Sequence, residues 1–103
     1  MSYGPLREAQ AILESSLKAD QDDVVTLTCL GAVLCDLHLY AQARENLERV
    51  LRLGSTDRNT FFNLYVAMLD SEAMEDARAA LNQGVHFERN PVTWEAYFDP
   101  QAM

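Results

Sequence analysis

Cys35, Asp36 and His38 stand within four positions of one another. A thiol beside an imidazole is the pair from which a nucleophile or a zinc site is built. Either chemistry needs further polar groups that converge on the pair. The other cysteine and the other histidine, Cys29 and His86, do not supply them. Cys29 falls six residues before Cys35, about 9 Å along one helix axis, and that separation forbids a disulfide within the helix. No glycine-rich phosphate loop, Gly-x-Ser-x-Gly elbow or paired metal motif occurs. The acidic runs at 20–23 and 72–76 read as turns and helix caps. These residues therefore predict no catalytic site, no cofactor and no metal. The two cysteines read as small buried hydrophobes, and His38 and His86 as helix-end histidines that favour the helix dipole.

The bulk numbers narrow the class. The chain has 103 residues, which suits one domain. Its apolar share of 49% is enough for a packed core, and its charged share of 23% argues against disorder. Sixteen acidic side chains face eight basic ones, for a net charge of −8. Nucleic acid or an anionic bilayer would repel that surface, so neither is an expected partner. No basic stretch followed by an apolar run opens the sequence, and no window nears the roughly 18 apolar residues of a membrane span. The expected compartment is cytoplasmic.

The elements that would position any site come from an internal repeat. Ala9, Ala43 and Ala77 are spaced 34 apart, and Leu13, Leu47 and Leu81 keep the same step. Leu6, Tyr40 and Met74 precede each alanine by three. Upstream, Leu27 pairs with Phe61, Leu30 with Leu64, and Leu34 with Met68. Apolar residues three before and four after an alanine share one helical face, and the alanine lets two helices approach closely. The spacing of three and four in the upstream columns is the stripe of an amphipathic helix. Each unit is thus a pair of helices whose stripes meet.

Local signals place the elements. Gly4-Pro5 opens a helix over about 5–19. Asp22 and Asp23 cap a second that reaches about Leu37, and a third over about 40–53 stops at Gly54. Thr56 and Asp57 open a fourth that ends near Asp70. Ser71 caps a fifth, with Glu72, Glu75 and Asp76 in its first turn, and this one runs to about Phe87. Asn90-Pro91 starts a short aromatic helix over 94–98, closed by Asp99-Pro100. No segment alternates as a strand does.

The 34-residue register, with Leu30-Gly31, Ala43 and Leu47 at signature offsets, resembles the tetratricopeptide repeat. The resemblance covers roughly residues 5–91. It implies an all-α fold of antiparallel helix pairs stacked as a short superhelix, about five helices and a short C-terminal capping helix. Within a single domain, 5–19 would be a lone second helix, 24–57 and 58–91 two repeats, and 92–103 a cap or tail. The sequence departs from the family pattern in places. Leu27 stands where an aromatic is usual, Tyr65 replaces the small residue matched by Gly31, and Ser55 occupies the turn where proline is common.

In that family the first helix of each repeat lines a concave groove for a partner peptide. The resemblance puts Val25, Thr28, Cys29, Ala32 and Asp36 on that face in one unit, and Asn59, Phe62, Asn63, Val66 and Asp70 in the next. Asn63 keeps one position of the carboxylate clamp found in some members. Thr28 and Ala32 stand where such a clamp needs a lysine and an asparagine, so a clamp is not expected. An apolar centre between asparagines and acidic ends suits an amphipathic helix or an extended apolar segment carrying basic residues. The expected function is a protein-binding module, an adaptor or small chaperone. The alternative is a self-associating scaffold. The first helix carries Leu6, Ile12, Leu13 and Leu17 with no earlier helix to share them, and a leftover apolar patch marks an interaction surface, so a homodimer is the second expected partnership. The bland outcome is a helix rolled until its apolar side is fully buried and Glu8, Glu14 and Lys18 face water. At the other end, Trp94, Tyr97 and Phe98 are placed to cover the last unit's exposed stripe.

Overall fold

A computed structural model describes residues 4–69 and 74–93. The expectations for Asp70, for Ser71 and Glu72, and for the aromatic segment 94–98 fall outside these residues. Five helices follow in chain order: α1 (Gly4–Ala19), α2 (Val24–Asp36), α3 (Tyr40–Arg52), α4 (Arg58–Leu69) and α5 (Met74–Gly84). Every regular element among the described residues is helical, and residues 91–93 enter a further helical turn. The fold is all-α, as the repeat predicts. Each helix packs on the next, and α2 also packs on α4, so the two units touch through their first helices. Short turns join α1 to α2 to α3 to α4, the connection that sets neighbouring helices antiparallel.

The repeat columns form the core. Leu27, Leu30, Leu34 and Ala43 are buried, as are Leu47, Phe61, Leu64, Met68 and Ala77. In the first helix of the chain the matching Ala9 and Leu13 are half-buried, because only α2 covers them. Both second helices approach their partners through a missing side chain. A Cβ on Gly31 would meet the Leu47 side chain, and one on Gly84 would meet Phe61. Large residues therefore interlock with glycines across α2–α3 and α4–α5.

The ends of the helices follow the caps read from sequence, with two differences. Asp23 caps α2, its carboxylate accepting from the amides of Val25 (3.0 Å) and Thr26 (3.3 Å). Asp57 does the same for α4, accepting from Asn59 N at 3.0 Å. Gly54, at φ 87°, takes the left-handed conformation that terminates α3 without a Cβ penalty. The first difference is at α2, which ends at Asp36. His38 lies beyond it at φ 62°, a left-handed position uncommon for a residue with a side chain. Its ring hydrogen-bonds the Tyr40 hydroxyl at 2.8 Å, so Cys35 and His38 do not share a helix. The second is at α5, which stops at Gly84, before the expected end at Phe87. The following turn is captured by α4: the Arg58 guanidinium donates to the carbonyls of Phe87 (2.7 Å) and Val85 (2.8 Å), and Arg58 N donates to Glu88 O. Phe87 N donates to Gly84 O at 3.1 Å, a turn in place of the helical bond.

Candidate functional site

α4 is the helix on which the candidate surface is built. Phe61, Leu64, Ala67 and Met68 form the side turned into the core. Its start is fixed by a polar cluster. The Asp57 carboxylate accepts from Asn59 N, from Asn90 N at 2.9 Å and from the Thr93 hydroxyl at 2.7 Å. The Asn59 amide in turn donates to Thr93 Oγ1 at 2.8 Å and to Asn90 O at 3.2 Å. The chain after α5 is thereby pinned to the first turn of α4, which holds the helix in register against whatever follows.

The opposite side of α4 carries Phe62, Tyr65, Val66 and Leu69, the i, i+3, i+4, i+7 positions of a single stripe. Phe62 is 39% and Leu69 41% exposed, and Tyr65 and Val66 are half-buried. The Phe62 and Tyr65 rings lie 6.3 Å apart in a tilted pair. Phe62 and Leu69 are thus the exposed members of the stripe, while Tyr65 and Val66 pack in part against the core cluster. Sequence reasoning named Phe62 and Val66 and passed over Tyr65 and Leu69. The three-and-four spacing from Phe62 carries the signal for both.

The remaining groove residues have different surroundings. Thr28, Cys29, Ala32, Asn59 and Asn63 are all buried in the folded chain. Thr28 and Thr60 hydrogen-bond each other at 2.8 Å across the α2–α4 contact, and Ser55 Oγ lies 3.2 Å from Thr60 Oγ1. The Cys35 thiol donates to Asn63 O at 3.7 Å. Among the described residues every buried side-chain nitrogen and oxygen has a hydrogen-bond partner. Thr28 and Cys35 of α2 therefore tie the two units together, while Asn59 ties α4 to the chain after α5. Val25 is half-buried and Asp36 exposed, while Asp70 lies outside the described residues.

The thiols have no activating neighbour. Burial pushes Cys29 up to about 11, helped by the negative charges of Asp57 and Asp23, and pushes Cys35 up to about 12, helped by Asp36. A thiol held protonated is a poor nucleophile and a poor metal ligand. Among the described residues no three His, Cys, Asp or Glu side chains gather where they could hold a metal ion.

On α1, Leu13 and Leu17 pack against the core cluster, and Leu6 is half-buried. Glu8, Glu14 and Lys18 are exposed, but the apolar side of α1 is only half-buried, short of the full burial of the rolled-helix alternative. The apolar side chain left in water is Ile12, at 66% exposure. A groove of about 290 Å³ between α3 and α5 has Leu64 and Met68 as its floor and Arg44, Glu48 and Asp76 on its rim; of these rim residues the sequence singled out Asp76, as a first-turn acid of α5. No described helix is long and apolar enough to cross a membrane. The chain matches no protein-family model, no curated protein and no solved structure.

Proposed function

We propose that this chain is a protein-interaction module of the tetratricopeptide type, an adaptor or small chaperone that holds a peptide or amphipathic helix of a partner protein. The observation that carries the reading is the stripe Phe62–Tyr65–Val66–Leu69, in which Phe62 and Leu69 are exposed beside the half-buried Tyr65 and Val66 on a helix otherwise locked into the core. Helix-in-groove recognition uses such a surface, because apolar anchors three and four apart on the partner fit between large side chains. A net charge of −8 favours a partner that carries basic residues beside its apolar ones. Nucleic acid and anionic membrane fit that charge poorly. The buried carbon of α2, with protonated thiols and paired threonines, supports a structural role for that helix and not a reaction. A cytosolic setting belongs to the same reading and is supported by two free cysteines.

The test is purification from the native host with and without the substitutions Phe62→Ala and Val66→Lys. Both sites have solvent-facing surface, so the helices should remain folded by circular dichroism while the co-purifying protein is lost. Retention of that protein by the folded double variant would end the proposal. Ile12 supports a second reading, self-association through α1. A mass in solution that is monomeric at high micromolar concentration, and unchanged by Ile12→Glu or Leu6→Glu, would remove it.

A further inference from the structure

α3 and α5 hold the same place in their units, yet they present different side chains to the groove that separates them. On α5 the groove is lined by Asp76, Ala79, Ala80 and Gln83, the i, i+3, i+4 and i+7 positions of one stripe. A shift of 34 residues puts Gln42, Glu45, Asn46 and Arg49 on the corresponding stripe of α3. The two alanines thus stand where the other unit carries Glu45 and Asn46. With no side chain beyond Cβ there, Leu64 and Met68 of α4 become the floor of an opening of about 290 Å³. They stand two and six residues after Phe62, on the opposite side of the helix. The groove is therefore separate from the exposed stripe of α4.

The rim sorts by charge. On α3, Arg44 and Glu48 form an ion pair and neutralise each other. Across the groove Asp76 is exposed, and no ion pair or hydrogen bond among the described residues engages it. One uncompensated negative charge thus stands above an apolar floor, on a chain of net charge −8. The opening lies at the lower edge of the range of ligand pockets, about 300–1,000 Å³. It admits side chains and not a whole helix of about 10 Å diameter.

We infer that the α3–α5 groove receives a segment of a partner protein through one leucine or methionine side chain set on Leu64 and Met68, with an adjacent lysine or arginine bound by Asp76. The inference goes beyond the binding reading, because it places a second protein contact on the side of α4 away from Phe62. Burial of the apolar side chain supplies most of the affinity. The ion pair at the rim selects basic segments over acidic ones. An apolar side chain flanked by glutamate or aspartate meets the repulsion of Asp76 and of the chain's net charge.

Met68 reports the floor. The methionine methyl groups of the full chain are labelled with carbon-13, and the Met68 signal is assigned by Met68→Leu. The capped tetrapeptide Ala-Leu-Arg-Ala is titrated into the millimolar range, where one leucine and one surface ion pair put the affinity. Salt is held at about 0.15 M, which screens the more distant charges. The Met68 methyl should shift and saturate. Ala-Leu-Gln-Ala should bind about two- to fivefold more weakly, the worth of a surface ion pair, and Ala-Leu-Glu-Ala more weakly still. Asp76→Asn should bring the arginine peptide to the affinity of the glutamine peptide, and Asp76→Lys should reverse the preference between arginine and glutamate. Ala79→Gln gives α5 the side-chain length that α3 carries at Glu45, and it should weaken all three peptides. Asp76 and Ala79 are exposed, so these variants should keep their helix content. If Asp76→Lys does not, Asp76→Asn with the three peptides carries the test. Phe62→Ala should leave the titration unchanged, so this inference and the binding reading fail separately. A Met68 methyl that does not move, or that moves equally with all three peptides, would overturn the inference. A Met68 shift that follows protein concentration without peptide, with a dimer in sedimentation, would give the groove to a second copy and also overturn it.

Discussion

Replacing Gly84 by alanine probes the closest approach in the fold. Gly84 ends α5 and is buried against α4. A Cβ there would stand 2.3 Å from Phe61 Cβ and 2.8 Å from its Cγ. Carbon atoms in ordinary contact are about 3.5–4.0 Å apart, so α4 and α5 must part by roughly an ångström. The nearest atom is bonded to the α4 backbone, and no rotamer of Phe61 moves it away. Overpacking of this kind costs about 1–3 kcal/mol. The gain in helix propensity from glycine to alanine is at most about 1 kcal/mol, and less at a last helical residue. The net loss is about 1–2 kcal/mol, or a fall in Tm of about 4–16 °C for a chain of this size. Gly31 offers the matching case with a different outcome. Its Cβ would meet Leu47 at Cδ2 (2.5 Å), Cγ (2.5 Å) and Cδ1 (2.9 Å), all of them beyond Cβ. A Leu47→Ala background should therefore absorb most of the penalty of Gly31→Ala, whereas Phe61→Ala should leave much of the penalty of Gly84→Ala in place. Thermal melts of the two double-mutant cycles decide this. A Gly84→Ala chain that melts higher than the parent, or one whose penalty vanishes with Phe61→Ala, would refute the close-packing argument.

Three further outcomes follow from the polar and backbone geometry. Thr60→Val leaves the buried Thr28 hydroxyl without its partner and should cost about 1–3 kcal/mol in chemical denaturation, while Thr28→Val with Thr60→Val should be closer to neutral; equal losses in the single and double variants would contradict this. Gly54→Ala meets open space but keeps φ 87°, so its cost of about 1–2 kcal/mol comes from the backbone alone, and an unchanged Tm would show that the turn relaxes. The thiols titrate higher in the folded chain than when unfolded, near 9.0. The unfolded chain then binds fewer protons above pH 9, so their contribution to stability is complete below that pH. It declines as pH rises towards about 11 for Cys29 and about 12 for Cys35. Cys29→Ala with Cys35→Ala should flatten that alkaline decline in urea titrations, and an identical slope would argue against buried thiols.

Much of this fold could be read before any coordinates. The columns of 34 state which residues must be core, because an alanine flanked by apolar residues at −3 and +4 has one use in a helix pair. Ala43, Leu47 and Ala77 are fully buried. Asp23, Asp57 and Gly54 mark ends through local chemistry and were legible for that reason. The Asp57–Asn59–Asn90–Thr93 cluster was not, because its members are polar residues about one repeat apart and polar residues give no periodic signal. Asn59 looked like a groove residue by register, yet its amide is spent on Thr93 and Asn90. The turn after α5 was equally hidden: Arg58, distant in sequence, binds the carbonyls of Val85 and Phe87 there. Half of the candidate surface was legible. Phe62 and Val66 came from register, while Tyr65 and Leu69 were passed over although the three-and-four spacing from Phe62 carries them.

The central claim is that the open side of α4 binds a helical segment of a partner. A peptide library enriched in basic, amphipathic sequences, selected on the native chain and counter-selected on the chain carrying Phe62→Ala and Val66→Lys, tests it directly when the bound peptide is mapped by amide chemical shifts. The account predicts shifts centred on residues 62–69 and an affinity at least about tenfold weaker for the variant, a difference of about 1.4 kcal/mol. Shifts centred elsewhere, or equal affinity for the two chains, would contradict it.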